Sequence, residues 1–292
     1  MKGGIDGIYA FFNPAGRLLS FFTSEFVSRE PELAGKLLPV PFEKLESYKV
    51  RPDNKYYPSI RRAVESGESA VLHYPAKRNE MRTVFFFKDG GCFVRKDVSE
   101  RLLRRERFGF RQLKIDPLPV YRGATVYDLA VSAAFSRGED GVVEVLTDFV
   151  EEVVNRYSGA DPQMLQGRMF DAIPANCIVT DDGNYNFFDL EYDMIGGVPL
   201  GYFIERISMT TAPRMNREKG VRISCYRVAD RLAERFGSRI DWCRYKKVSA
   251  AHKRFNTLSL SRVLTNVWLS LLPVKAWRER FCWWLMKPEL KK

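Results

Sequence analysis

Apolar and polar positions change their period along this chain, and the change divides it into a strand-forming first part and a helix-forming second part. Up to about Gln112 the apolar residues fall in short runs. Leu18–Val27 (LLSFFTSEFV) is apolar and aromatic, and its break at Thr23 and Ser24 predicts strand, turn and strand. Residues 28–68 are rich in Pro, Glu and Lys and predict loop with a short helix near Pro58–Ser66. Ala70–Tyr74 and Arg82–Lys88 are β-rich, Asp89-Gly90-Gly91 signals a turn, and Cys92–Val98 returns as a strand. Ser99 is placed to cap a helix over Glu100–Phe108 that carries many arginines.

Leu118–Gly123 (LPVYRG) has the character of a connector. After it, Thr125 and Asp128 form a T-x-x-D start, a capping box with Asp in the acidic position, and predict a helix to about Phe135. Val142, Val145, Leu146, Phe149, Val150 and Val153 recur at helical spacing, so Val142–Tyr157 predicts a buried helix. A loop follows, then a strand Cys177–Thr180, the turn Asp181-Asp182-Gly183 and a strand Asn184–Asp189. Helical patterns run from there to the C-terminus, with Val221–Phe236 the clearest. Strands first and helices later, around one small hairpin, predict an α+β protein in two lobes. The expected divisions are a β-rich lobe over 1–117, a hinge at 118–124, a helical lobe with the hairpin over 125–257, and basic amphipathic helices over 258–292.

Composition narrows the class. With 292 residues, 45% apolar and 28% charged, the chain has ample material for a core and does not look disordered. Its five cysteines are scattered without a C-x-x-C pair, which argues against a disulfide framework and a zinc site. The N-terminus MKGGIDGIYAFF lacks the pattern of a signal peptide, so a cytoplasmic address is expected. Net charge is +11 and uneven: Arg244–Lys292 holds twelve Lys/Arg against two Asp/Glu, leaving the rest nearly neutral.

The chemistry concentrates in FDAIPANCIVTDDGNYNFFDLEY, residues 170–192. Asp171 and Asn176 share a loop, and a tight hairpin over 177–189 brings Asp189 back beside Asn176. Phosphoryl transfer from ATP needs such a trio: a carboxylate, Asp171, to orient the attacking hydroxyl, and oxygen ligands, Asn176 and Asp189, for the Mg²⁺ on the phosphates. Glu191, two residues on, shares Asp189's side if the strand continues, where it would support a second metal or act through water. His73 and His252 have no partners at metal spacing and read as structural or exposed, and Cys177 reads as core.

In these residues the chain resembles the protein-kinase-like superfamily. Asp171-x-x-x-x-Asn176 matches the catalytic-loop spacing, and Asp189 stands where that superfamily has its metal-binding aspartate. Gly167-Arg168-Met169-Phe170 replaces the usual histidine and arginine, and the ending is D-L-E rather than D-F-G. With D-x-I-P-x-N, this form is most similar to the atypical kinase modules of bacterial surface-polysaccharide enzymes, among them the O-antigen chain-terminating kinase–methyltransferases. The resemblance implies a bilobal kinase-like fold with a β-rich N-lobe and a mainly helical C-lobe. It also implies ATP and Mg²⁺ as cofactors, and a hydroxyl of a surface glycan or lipid-linked sugar as acceptor. Upstream it assigns Phe21–Val27 to the nucleotide-covering hairpin, Lys96 to the α/β-phosphates, and Glu106, with Glu100 as alternative, to the ion pair with that lysine. Thr and Ser stand in the covering hairpin where glycines would let the backbone approach phosphate, so a pseudokinase that binds or scaffolds a glycan-assembly complex is the alternative. A sugar-nucleotide transferase using Asp189-x-Glu191 fits less well, since no alternating βαβ pattern accompanies it.

The tail adds a partner. Leu260, Val263, Leu264, Val267, Trp268, Leu271 and Leu272 share one helical face, and a second short helix carries Trp277, Phe281, Trp284 and Leu285 beside Lys275, Arg278 and Arg280. Neither run reaches the roughly 20 apolar residues of a membrane span. Packing on the helical lobe and anchorage at a membrane surface are both open to these helices. Nucleic acid ranks below both, because no nucleic-acid motif accompanies the charge.

Overall fold

A computed structural model describes residues 7–12, 18–38, 50, 52–73 and 81–256. The expected helices over 258–292 lie outside these residues. The chain forms two units: described residues up to Ser99 together with Asp116–Val120, and Glu100–Ile115 together with Tyr121–Asn256.

The first unit is an antiparallel meander. Strands β1 (Ile8–Phe12), β2 (Leu18–Thr23), β3 (Glu68–His73), β4 (Met81–Lys88) and β5 (Gly91–Val98) pair in chain order. The tight turn at Asp89-Gly90 fixes the last hairpin, with Phe87 opposite Cys92 and Lys88 opposite Gly91. Side chains alternate across the sheet, so neighbouring residues feed separate cores. Phe11, Phe22, Ala70 and Phe85 pack on one face with Phe26, Val27 and Ala34. Ile8, Phe21, Val71 and Val84 pack on the other with Ile60 and Ala63.

Three helices supply these partners: α1 (Ser24–Arg29), α2 (Pro31–Leu37) and α3 (Tyr57–Glu65). The third meets the expectation near 58–66. The first corrects it, because Thr23 does not turn the chain into a second strand. Its hydroxyl accepts the Phe26 N–H at 3.1 Å and caps a helix, placing Phe26 and Val27 in the core.

After β5 come the one-turn helix α4 (Glu100–Leu103) and a hairpin of β6 (Glu106–Arg107) and β7 (Phe110–Gln112); β8 (Leu118–Pro119) then adds to the edge of β5. The helix predicted over Glu100–Phe108 therefore ends early. Phe108 and Gly109 both take positive φ, 57° and 79°, and reverse the chain as a two-residue turn.

In the second unit β9 (Ala124–Thr125) leads into α5 (Val126–Tyr157). The capping box forms in both directions: the Thr125 hydroxyl accepts the Asp128 N–H, and the Asp128 carboxylate accepts the Thr125 N–H. The two predicted helices join into one element broken at Gly138 (φ 61°, ψ −141°). Val142, Leu146, Phe149, Val150 and Val153 are buried as their spacing predicts. They pack with Phe203, Ile204 and Ile207 of α6 (Leu200–Lys219) and with Val228 and Leu232 of α7 (Cys225–Arg235). Between α5 and α6 lie β10 (Met164–Leu165), β11 (Cys177–Val179), β12 (Tyr185–Phe187), β13 (Tyr192–Met194) and β14 (Val198–Pro199). A last described helix, α8 (Trp242–Asn256), closes the unit. The protein is thus α+β, with a β-rich N-terminal part and a helical C-terminal part. No helix among the described residues is long and apolar enough to cross a membrane.

Candidate functional site

The 170–192 segment lies wholly in the second unit. β11 pairs with β12, Cys177 opposite Phe187, and with β9 on its other edge. The Asp-Asp-Gly turn is held by its own side chains. Asp182 accepts from Thr180 Oγ1 and from Asn184 Nδ2, which depresses its carboxyl below the ordinary range and gives it a structural task. Cys177 is buried, and burial pushes its thiol up to about 12, as suits a core residue.

The hairpin returns the chain as its spacing implies. The Phe188 N–H donates to the Asn176 carbonyl at 3.0 Å, one residue before Asp189. The strand stops there, however: β12 ends at Phe187, and Asp189 takes the left-handed conformation with φ 60°. That conformation costs an ordinary L-residue about 1–2 kcal/mol. The period-two argument that placed Glu191 beside Asp189 therefore fails, because the backbone turns at Asp189 instead of running on.

Glu191 reaches the same neighbourhood by another route. Its carbonyl accepts from Leu113 N–H and Gln112 Nε2, both at 2.8 Å, which ties it to β7. Its own N–H donates to Asp171 Oδ2 at 3.3 Å.

Asp171 ends a short 3-10 turn, Gly167–Asp171. Gly167 is required for close approach: a Cβ there would overlap the Met194 carbonyl and the Asp193 carboxylate of β13. The Asp171 carbonyl accepts Asn176 Nδ2 at 3.0 Å, joining the two ends of the D-x-x-x-x-N loop. Asp171 is 7% exposed, and its carboxyl is raised to about 7. Burial is the main cause, and the carboxylates of Glu191 and Asp189 add to it against the opposing pull of Arg206. Hydrogen bonds thus join Asn176 and the Glu191 backbone to Asp171, and Asp189 follows directly on Phe188, whose N–H is bonded to Asn176.

Arg206 is the residue that local sequence reasoning missed. Its Nη2 donates to Asp171 Oδ1 at 3.1 Å and its Nε to the Phe170 carbonyl at 2.6 Å. The guanidinium lies 3.9 Å from the Phe170 ring centroid, while Tyr202, one helical turn earlier, stacks on that ring. Two residues of α6 thereby fix the loop that presents Asp171. His252 contributes from α8, packed edge-on against Phe170 and Tyr192.

The remaining predicted residues lie on other elements. Lys96 is on β5, in the first unit, opposite Thr83. Glu106 is in the second unit, exposed on β6 and not on a helix. Glu100 is on α4, where it accepts from Arg104 at 2.9 Å in an exposed i,i+4 pair. Among the described residues no group of three or more His, Cys, Asp or Glu is arranged to hold a metal by itself.

No protein-family model matches the chain, and comparison with characterised proteins gives no match.

Proposed function

We propose that the protein is a kinase-like phosphotransferase that uses ATP and Mg²⁺ to phosphorylate a hydroxyl, on a surface glycan or lipid-linked sugar. The observation that carries this reading is the joining of the two motifs: Asn176 is bonded to the Asp171 carbonyl, the Glu191 N–H to the Asp171 carboxylate, and the Phe188 N–H, next to Asp189, to the Asn176 carbonyl. Asn176, Asp189 and Glu191 are oxygen donors of the kind a hard cation takes. Asn176 spends its Nδ2 on the Asp171 carbonyl, which leaves its Oδ1 as the atom of that side chain that would serve a cation. Bound there, Mg²⁺ would neutralise the phosphates as charge moves between them.

The protein's own groups do the rest. Asp171 accepts a hydrogen bond from the acceptor hydroxyl and orients it. Its carboxyl near 7 sits where a group can take that proton at neutral pH. Arg206 fixes the carboxylate's orientation through Oδ1, leaving its other oxygen toward Glu191.

The test is calorimetric titration of ATP with Mg²⁺ into wild type and Asp189→Asn, a substitution that keeps the left-handed backbone and removes charge. Binding by wild type and its loss in the variant are expected. No binding by wild type removes the proposal. The burial and ion pairing of Asp171 favour a second reading, a pseudokinase, which predicts ATP binding without phosphoryl transfer and normal cell function in Asp171→Asn.

A further inference from the structure

The β6–β7 hairpin carries a feature that phosphotransfer does not use. Its two-residue turn has φ above zero at both central positions, a geometry that favours Asn-Gly, yet the first position is Phe108, at 50% exposure. An aromatic in the left-handed region is uncommon, and half of this one is exposed. Ile195, 44% exposed, lies beside it, its N–H bonded to the Gly109 carbonyl at 2.9 Å.

Around this apolar tip the sequence is basic. Arg101, Arg104, Arg105, Arg107 and Arg111 fall within thirteen residues that hold only Glu100 and Glu106 as acids. The Arg107 guanidinium lies 5.9 Å from the Phe108 ring. The hairpin is also where the described chain ends. Phe255, buried at the close of α8, packs against Phe110 and under the Arg105 guanidinium, with centroid distances of 6.1 and 5.0 Å. The basic, tryptophan-bearing sequence beyond Asn256 is therefore covalently rooted beside the hairpin.

We infer that the Phe108 hairpin is a membrane-contact element for anionic phospholipid, with Phe108 and Ile195 entering the headgroup–acyl boundary and Arg107 meeting a lipid phosphate. An aliphatic side chain next to the ring favours hydrocarbon over nucleic-acid bases, which offer stacking faces for aromatics. The inference shares the membrane reading of the tail but not the phosphotransfer reading, so ATP binding and lipid binding can fail separately.

The test is co-sedimentation of the full chain with phosphatidylcholine vesicles, with and without phosphatidylserine. Phe108→Asn creates the Asn-Gly pair that this turn prefers, so melting temperature should hold or rise. Vesicle affinity should nevertheless fall about fivefold, the loss expected for removing a half-exposed ring from the interface. Arg107→Gln should cost about fivefold more on anionic vesicles and little on neutral ones. Binding that persists unchanged in both variants overturns the inference and leaves the tail as the anchor. Equal wild-type binding to neutral and anionic vesicles also overturns it, as does binding to an oligonucleotide but not to vesicles. If wild type binds no vesicle, the tail's membrane role falls with it.

Discussion

Glu205 should make this protein lose stability as pH rises from about 4.5 to 7, and Glu205→Gln should remove that share of the loss. Glu205 lies on α6 at 1% exposure; its Oε1 accepts the backbone N–H of Asp241, the residue that caps α8, while Oε2 is buried with no hydrogen-bond partner among the described residues. Burial raises its carboxyl from the ordinary 4.5 to about 7, the Asp241 carboxylate adding to this and the Asp241 N–H and Arg244 opposing it. In the unfolded chain the group titrates near 4.5, so between there and 7 the native state holds a proton that the unfolded state has released. The stabilising contribution is then fully present below the lower value and disappears as pH climbs through the upper one. At ~1.4 kcal/mol per pH unit the change amounts to about 3 kcal/mol. Gln keeps an acceptor oxygen for the Asp241 N–H and cannot ionise. Urea unfolding followed by circular dichroism from about pH 4.5 to 8 should show the variant gaining on wild type steadily, by up to about 3 kcal/mol. A difference between the two proteins that stays constant across that range would refute the reasoning.

Two substitutions at the candidate site should act through different physics. Gly167→Ala forces a methyl group into the β13 backbone, which has little room to move, and should cost about 2–3 kcal/mol by urea unfolding as well as weakening ATP binding. Arg206→Gln leaves the Asp171 carboxyl buried without its cation and should cost about 3–5 kcal/mol, visible as a lowered urea midpoint.

Elements whose signal is local were legible from sequence. The capping box at Thr125 and Asp128 needs only four residues to declare itself, and both of its hydrogen bonds form. The 177–189 hairpin was likewise readable, because a D-D-G turn between short apolar runs admits few other shapes. Two local readings went astray where composition and conformation diverge. SEFVSR is apolar enough for a strand, but the Thr23 hydroxyl turns it into a helix. RRERFGF has no apolar period, so the arginines suggested helix while Gly109 permitted a hairpin. At the candidate site, Asp171, Asn176 and Asp189 are linked by spacing, which is why the sequence singles them out. Arg206 is thirty-five positions from Asp171, and nothing near it in sequence marks an arginine destined for a buried carboxylate. Such pairings depend on how α6 crosses the loop, which only tertiary packing decides.

The backbone at Asp189 also makes that position answer two separate questions. Its left-handed φ of 60° tolerates Gly and Asn, and Gly should relieve local strain while deleting the carboxylate altogether. A β-branched replacement such as Asp189→Val would violate the conformation and remove the charge together. Saturating this one codon would therefore sort alleles into those that fold without the carboxylate and those that do not fold, separating what the loop's shape demands from what its chemistry demands.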